Sequence, residues 1–284
     1  MKRTLPIVFL LITVFCPLAN TPCVTASPTP KPCVSATPAD IGCVTTCCPD
    51  GIDNIAECPD EGCTRKTAHE FDPELNKLKN KRSDDGGTDP DLKSIQWIKA
   101  LSRRPSGYKG CGTRDVLTNL GEGKKITVVA WALTARKEED ESANCDLKGD
   151  PDTDNHIVLV DPALNDPTLA RDECESVTAE FTPRVRNDDH HQNFTRNQLN
   201  SLIDSTWKKD SKDNPNGKRL VRVTGLLMFD SGHLYNLLKR ATNWEIHPVL
   251  KMEYCDEGKT CVAESDENWK DLDDLPSDQV SPTP

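Results

Sequence analysis

Between Lys125 and Tyr254 the chain alternates apolar and polar residues in runs of strand length, interrupted once by helical spacing. The first run, Lys125 to Arg136, places Ile126, Val128, Ala130 and Ala132 on one face and Val129, Trp131 and Leu133 on the other, so both faces are expected to be at least partly covered. His156 to Asp161 predicts a second strand. Ser176 to Thr182 predicts a third, in which Val177, Ala179 and Phe181 alternate with Ser176, Thr178 and Glu180. The period then changes: Thr195 and Gln198 form a Thr-x-x-Gln capping box, and Leu199, Leu202 and Ile203 follow at helical spacing. After the turn residues Asn214-Pro215-Asn216-Gly217 come a fourth strand, Leu220 to Phe229, and a fifth, Trp244 to Tyr254. In the fifth, Trp244, Ile246, Leu250, Met252 and Tyr254 share one face, while Glu245, His247, Lys251 and Glu253 share the other.

Three strands, one helix and two strands is the order of a mainly β, five-stranded Greek-key barrel of the OB type, with the helix between strands three and four capping one end. Closure removes the exposed edges of short, half-buried strands, and the helix covers the apolar opening. It requires the first strand to pair with the fourth; an open sheet with a helix on one face is the rival and lacks that pairing. Gly225, inside the fourth strand, fits a bend at a barrel corner.

The barrel is expected over residues 111–262, and the segments around it read differently. Residues 1–19 have the form of an export signal, with Lys2 and Arg3 ahead of the apolar run Leu5 to Phe15 and Pro17 after it; cleavage would follow Ala19 or Ala26. The apolar run is too short to span a membrane comfortably, which implies no transmembrane segment after signal removal and a secreted, periplasmic or cell-surface location. Residues 20–63 form a spacer rich in Cys, Pro and Thr, where Pro22-Cys23-Val24, Pro32-Cys33-Val34 and Gly42-Cys43-Val44 recur every ten residues. Residues 64–110 read as a polar linker with a short helix from Ser94 to Leu101. Residues 263–284 hold seven acids and one lysine and read as a disordered tail.

Composition supports one packed domain between poorly ordered ends: hydrophobic residues are 35% of the chain and charged ones 29%. The net charge of −11 argues against a nucleic-acid partner, whose phosphates require a basic footprint. Thirteen cysteines, twelve beyond the signal, fit a disulfide framework in an exported chain. Seven lie between Cys23 and Cys63 and five are dispersed, so complete pairing needs at least one bridge between the two groups. Cys255 and Cys261 enclose a turn and are candidates for one bridge, Cys145 and Cys174 for another. No Cys-x-x-Cys knuckle with a nearby His favours zinc in the cysteine cluster. Cys23, Cys33 and Cys43 are spaced to cross-link neighbouring chains through intermolecular disulfides, as an alternative to a plain spacer.

Several strings resemble segments of an uncharacterised group of bacterial, often exported proteins with an OB-like barrel. They are Glu180-Phe181-Thr182-Pro183-Arg184, Val223-Thr224-Gly225, Asp72-Pro73-Glu74-Leu75-Asn76-Lys77-Leu78-Lys79-Asn80 and, most specific, Trp244-Glu245-Ile246-His247-Pro248-Val249. The resemblance spans roughly residues 63 to 255 and implies the barrel; it brings no reaction with it. Where the group tends to show Cys-Asn-Cys this chain has Asn144-Cys145-Asp146, so no paired-thiol role carries over.

Candidate chemistry falls on His156, Glu180, Arg184, Asp230, His233, Trp244, Glu245 and His247. Imidazoles and carboxylates together bind a divalent metal or act as acid and base. Glu245 and His247 are two apart on a strand and project from one face, within reach of Glu180 if strands three and five line one barrel mouth. Asp152, Asp154 and Asp161 suggest calcium, but the loop glycine and distal Glu of an EF-hand are missing. His190 and His191 sit among Asn187, Asp188 and Asp189 and read as loop residues. No nucleophile elbow, phosphate loop or His-Glu-x-x-His helix occurs.

Two functional readings follow. One is an exported, non-enzymatic binding or interaction protein without a cofactor, recognising an unknown ligand or extracellular partner through Arg184, Asp230, His233 and Trp244 at the barrel mouth. The other is a divalent-metal-dependent hydrolase, of phosphoesterase or nuclease type, with His156, Glu180 and His247 as metal ligands and His156, Glu180, Glu245 and His247 as the catalytic set. Cross-linking through the spacer is checked by non-reducing gels of the exported protein: oligomers that collapse on reduction support it, and monomer in both lanes rejects it.

Overall fold

A computed structural model describes residues 48–65, 72–82, 89–103, 105–108, 114–138, 140–188, 194–208, 211–233 and 239–275. The signal, the ten-residue repeat with Cys23, Cys33 and Cys43, the pair His190 and His191, and the last part of the tail lie outside the described residues. In chain order the elements are α1 Pro73–Lys79, β1 Asp91–Lys93, α2 Ile95–Ala100, α3 Asp115–Leu120, β2 Lys125–Lys137, β3 Asn155–Val160, α4 Leu169–Asp172, β4 Val177–Phe181, α5 Pro183–Asp188, α6 Arg196–Ile203, β5 Arg219–Phe229, β6 Trp244–Cys255 and β7 Trp269–Asp271.

The five long strands close in the order β2-β3-β4-β6-β5 and back to β2. The closing ladder runs from the Lys125–Leu226 pair to the Ala132–Arg219 pair, which is the first-to-fourth pairing that a closed barrel requires. β2 is long enough to serve two neighbours on its other edge: β1 pairs with it in parallel at Ile126 to Val128, and β3 pairs antiparallel at Trp131 to Lys137. A register shift between Ala132 and Thr134 moves the inward series from Ile126, Val128, Ala130 and Ala132 to Ala135. Leu133 is left on the outer face, where it packs with Val158, Val160 and Leu169.

α6 stoppers the barrel. Thr195 Oγ1 accepts from the Gln198 amide at 3.3 Å, while Leu199 and Ile203 enter the apolar core beside Phe194 and Phe181. Asn200 ties the helix to the wall: its Oδ1 accepts from Ala135 N at 3.0 Å and its Nδ2 donates to Ala135 O at 2.7 Å, satisfying backbone groups beyond the last β2–β5 pair, Ala132–Arg219.

The fifth strand departs from simple alternation. β5–β6 pairing slips around Gly225, so that Val249 rather than Leu250 faces the core with Trp244, Ile246, Met252 and Tyr254. Simple period-2 reading fails because the ladder shifts twice, between Thr224 and Gly225 and between Gly225 and Leu227, so parity changes at Val249 and is restored by Met252. Gly225 is required by close approach rather than by a barrel corner alone: a Cβ there would lie 2.4 Å from Pro248 O and 2.6 Å from Ile246 Cγ2.

The packed domain extends well beyond 111–262. Ile95 and Ile98 of α2 are fully buried in the main core, because they reach the barrel from the segment expected to be linker. Residues 48–64, expected to belong to an extended spacer, build a small core of Ile52, Ile55, Cys58 and Cys63 against Cys145 and Leu147. At the other end β7 pairs with β6, and Leu272 is buried in the main core, so the acidic tail begins after a structured stretch. Buried Arg114 binds these additions together, pairing with Glu122 at 2.6 Å and Asp72 at 3.1 Å and donating to Phe229 O at 2.7 Å.

Disulfides join Cys48 to Cys63, Cys58 to Cys145 and Cys255 to Cys261. The last closes its own turn as expected, and the second is the link between the clustered and dispersed cysteines. The expected Cys145–Cys174 bridge does not form. Cys145 is taken by Cys58, and Cys174 is exposed and free in a 3-10 turn, Glu173–Glu175. Among membrane-spanning possibilities, no helix of the described residues is long and apolar enough to cross a bilayer.

Gly225→Ala is expected to destabilise the fold by about 1–3 kcal/mol, since the added methyl meets backbone that is itself paired. Urea unfolding of the variant against the parent chain checks this; equal midpoints would contradict the close-approach reading.

Candidate functional site

The acids and imidazoles singled out in the sequence do come together, but not in a barrel mouth. Ile157, Ala179, Phe181, Trp244 and Ile246 face the core, so their neighbours His156, Glu180, Glu245 and His247 project from the outer surface of the β3-β4-β6 wall by strand alternation. His156 and Glu180 are cross-strand partners, and the Ala179–Ile246 pairing brings Glu180 beside Glu245 and His247. The N-terminal segment roofs this surface: α1 lies against β6, and buried Lys79 at its end pairs with Glu141 at 2.9 Å.

The result is a charged face taken out of water. Asp154 is 1% exposed, Glu180 2%, Asp230 4% and both Glu245 and His247 0%. Contacts run along it in a chain. Glu138 Oε2 lies 2.8 Å from His156 Nδ1, and His156 Nε2 lies 2.6 Å from Glu180 Oε1. The other Glu180 oxygen is 2.7 Å from His247 Nδ1, whose ring presents Nε2 to Asp154 Oδ2 at 3.2 Å. Glu245 Oε1 is 3.5 Å from His247 Nδ1, while its Oε2 accepts from Arg240 Nη1 at 2.8 Å; the second guanidinium nitrogen goes to Asp230. Asn144 Nδ2 donates to Asp154 Oδ1 at 2.7 Å.

Proximity here is not the same as hydrogen bonding. Among the described residues Asp154 Oδ2, Glu180 Oε2, Glu245 Oε1, His156 Nε2 and both ring nitrogens of His247 make no hydrogen bond, although each is buried. The ring nitrogens and carboxylate oxygens meet as close ion pairs rather than as aligned hydrogen bonds. One atom each from Asp154, Glu180 and His247 lies within 4.8 Å of the others, the convergence of a cation's ligands. The other such grouping among the described residues, the three cysteines Cys48, Cys63 and Cys145, is consumed by disulfides.

Electrostatics follow from the crowding. Burial alone would raise the Glu180 carboxyl, but His156 and His247 on either side hold it well below the usual carboxylate range. Burial opposes charge on the two imidazoles, and Glu180 outweighs it, aided by Glu138 at His156 and Asp154 at His247; both are held well above the ordinary histidine range. Glu245 is pushed up by burial, then by Glu180 and Asp230, against the pull of Arg240. Glu138, Glu141, Asp154, Glu180, Asp230 and Glu245 thus lie among Lys79, Arg240 and, beside Asp154, Arg186, with the two imidazoles held toward their charged form.

The residues assigned to ligand binding have other work. Arg184 is buried beneath the roof and donates to Cys58 O at 2.7 Å and Pro59 O at 2.8 Å, anchoring the segment that sequence reading made a spacer. Trp244 is fully buried, packs edge-on against Phe229 and donates from Nε1 to Ser102 O at 2.9 Å. Asp230 belongs to the charged chain through Arg240. His233 ends the 3-10 turn Ser231–His233, and its side chain lies outside the described residues.

Six participants were missed, among them Lys79 at the end of α1 and Glu141, which pair at the flank of the site. Asp154 stands two residues before His156 at the entry to β3, so the Asp-x-His spacing was a usable signal hidden by the calcium-loop comparison. Glu138 and Asn144 reach the site through loops. Arg240 precedes Glu245 by five residues in a stretch with no periodic signal.

No family model matches this chain, and no curated protein matches it. One solved structure superposes in part: a protein assigned as an aspartyl-tRNA synthetase from Leishmania major Friedlin, at 12% identity and a TM-score of 0.25. The match covers 63% of this chain and 26% of that one, so the chain spans about a quarter of its length. At that TM-score the likeness carries no argument about fold or activity.

Arg240→Met is expected to cost about 3–5 kcal/mol, because it leaves Asp230 and Glu245 buried without their cation. Adding Asp230→Asn and Glu245→Gln in the same chain should recover part of that loss. Denaturant midpoints of the single and triple variants check both statements; a single variant as stable as the parent would contradict the ion-pair chain.

Proposed function

We propose that this protein is an exported binding domain whose barrel wall holds a divalent cation, with Asp154, Glu180 and His247 as protein ligands. The single observation behind this is the set of buried, convergent ligand atoms without hydrogen bonds. A divalent ion would give these two carboxylates and the imidazole a common partner and neutralise carboxylate charge held out of water. Two carboxylates and one imidazole suit borderline and hard ions such as Zn²⁺ or Mn²⁺. Arg240 and Lys79 lie at the flanks and would balance Asp230, Glu245 and Glu141 rather than compete for the ion.

Export is supported by the Lys2-Arg3 and Leu5 to Phe15 pattern and by three disulfides, which persist in oxidising compartments. Binding rather than turnover is favoured by the roof, which buries Asp154, Glu180 and His247 and leaves His156, Glu138 and Glu141 partly exposed at the edge of the centre. That edge also sustains a second reading as a metal-dependent hydrolase. Three protein ligands leave coordination positions open, and Glu138 fixes His156 as an acid or base beside them.

Elemental analysis of the purified full chain, followed by thermal unfolding with added Zn²⁺, Mn²⁺, Mg²⁺ or Ca²⁺, tests the proposal. One ion should raise stability by about 2.7 kcal/mol at a hundredfold excess over its Kd. Asp154→Ala and His247→Ala should each abolish the increase. No stabilisation by any of the four ions would overturn the cation reading. Metal-dependent cleavage of a generic phosphoester, lost in His156→Ala, would favour the hydrolase over the binding domain.

A further inference from the structure

The Asp154 carboxylate is divided between two directions. Its Oδ1 accepts from Asn144 Nδ2 at 2.7 Å, and its Oδ2, with no hydrogen bond among the described residues, is turned toward His247. Asn144 is itself buried, 1% exposed, and ends the 3-10 turn Ser142–Asn144. The two residues after it, Cys145 and Asp146, both lie in the left-handed region at φ 56° and 53°. Consecutive non-glycine residues stay there only when their surroundings over-determine the backbone.

Those surroundings come from the N-terminal segment. Cys58 bonds covalently to Cys145, and Cys63 N donates to Ser142 O at 3.0 Å. Asn80 Nδ2 donates to Ala143 O at 3.0 Å, Asn76 Nδ2 to Ser142 Oγ at 3.2 Å, and Thr64 Oγ1 to Asp146 Oδ2 at 2.9 Å. Every residue from Ser142 to Asp146 except Asn144 is therefore gripped by the roof. Asn144 alone turns the other way, to the site.

We propose that Asn144 is a positioning residue of the cation centre: it occupies one oxygen of Asp154 so that the other faces the ion, and the Cys58–Cys145 bridge holds it in that place. The inference rests on the cation reading and adds to it the part played by the cysteine-rich segment. A group that orients a metal ligand is typically worth about 10–100-fold in metal affinity.

The test uses the full chain with its disulfides formed. Mn²⁺ affinity is measured by calorimetry, and Co²⁺ visible absorption reports the geometry of the ligands. Asn144→Ala, the volume-preserving Asn144→Leu and the pair Cys58→Ser with Cys145→Ser are compared with Cys255→Ser with Cys261→Ser, which removes a bridge that closes only its own turn. Each of the first three should weaken Mn²⁺ binding by about 10–100-fold and alter the Co²⁺ spectrum. The last should change neither. Asn144 variants with parental affinity and spectrum would overturn the inference while leaving the cation reading intact. Loss of near-ultraviolet circular dichroism in all three variants would overturn it too, by making Asn144 a folding residue. A parent chain that takes up no ion defeats the cation reading and this inference together.

Discussion

The constraint on which this structure turns is the removal of a charged strand face from water. A barrel wall of alternating residues puts Ala179, Phe181 and Ile246 into the apolar core and, on the same strands, Glu180, Glu245 and His247 on the outside. An outer face of that kind is ordinarily solvated. Here it is buried under residues that precede the barrel in the chain, and isolated charges in such a place cost several kcal/mol each unless they are paired.

Much of the remaining architecture answers that cost. Arg240 is held between Asp230 and Glu245, Lys79 against Glu141, and His156 between Glu138 and Glu180. The roof is then fastened where the charges are, by Arg184 on the Cys58–Asp60 backbone and side chain and by the bridge from Cys58 to Cys145. Pairing stops short of complete satisfaction at Asp154, Glu180 and His247. What sets these three apart is convergence: one ligand atom of each lies within 4.8 Å of the others, the arrangement a shared cation would use.

Barrel closure was legible because it depends on short-range pattern. Alternation in Lys125 to Arg136 and in Leu220 to Phe229, with the Thr195 capping box between, fixed five strands and a plug in an order that has few closed solutions. Alternation misplaces Leu250 because two register shifts around Gly225 change parity and then restore it, and alternation alone cannot register inserted residues. The grouping of His156, Glu180, Glu245 and His247 was legible for the same reason as the barrel, since i and i+2 share a strand face.

Depth and cover were not legible. Whether the polar face is solvent-exposed depends on Lys79, Asn144 and Cys58, which lie from 36 to 122 residues away in sequence from Glu180 and carry no local signal of contact. Composition suggested that the Cys/Pro/Thr stretch and the polar stretch after it were loosely ordered throughout. In fact Ile52, Ile55, Ile95 and Ile98 are few but well placed, and disulfides compensate for a small core. Arg184 and Trp244 suit recognition at a barrel mouth, but internal contacts take up both side chains.

A crystal of the full chain grown with Mn²⁺ and measured near the manganese absorption edge addresses the buried centre directly. An anomalous difference peak bonded to Asp154, Glu180 and His247 is the predicted result. Absence of a peak, with those side chains rearranged into hydrogen-bonded pairs, would show that the acids and imidazoles satisfy one another and that no cation belongs there.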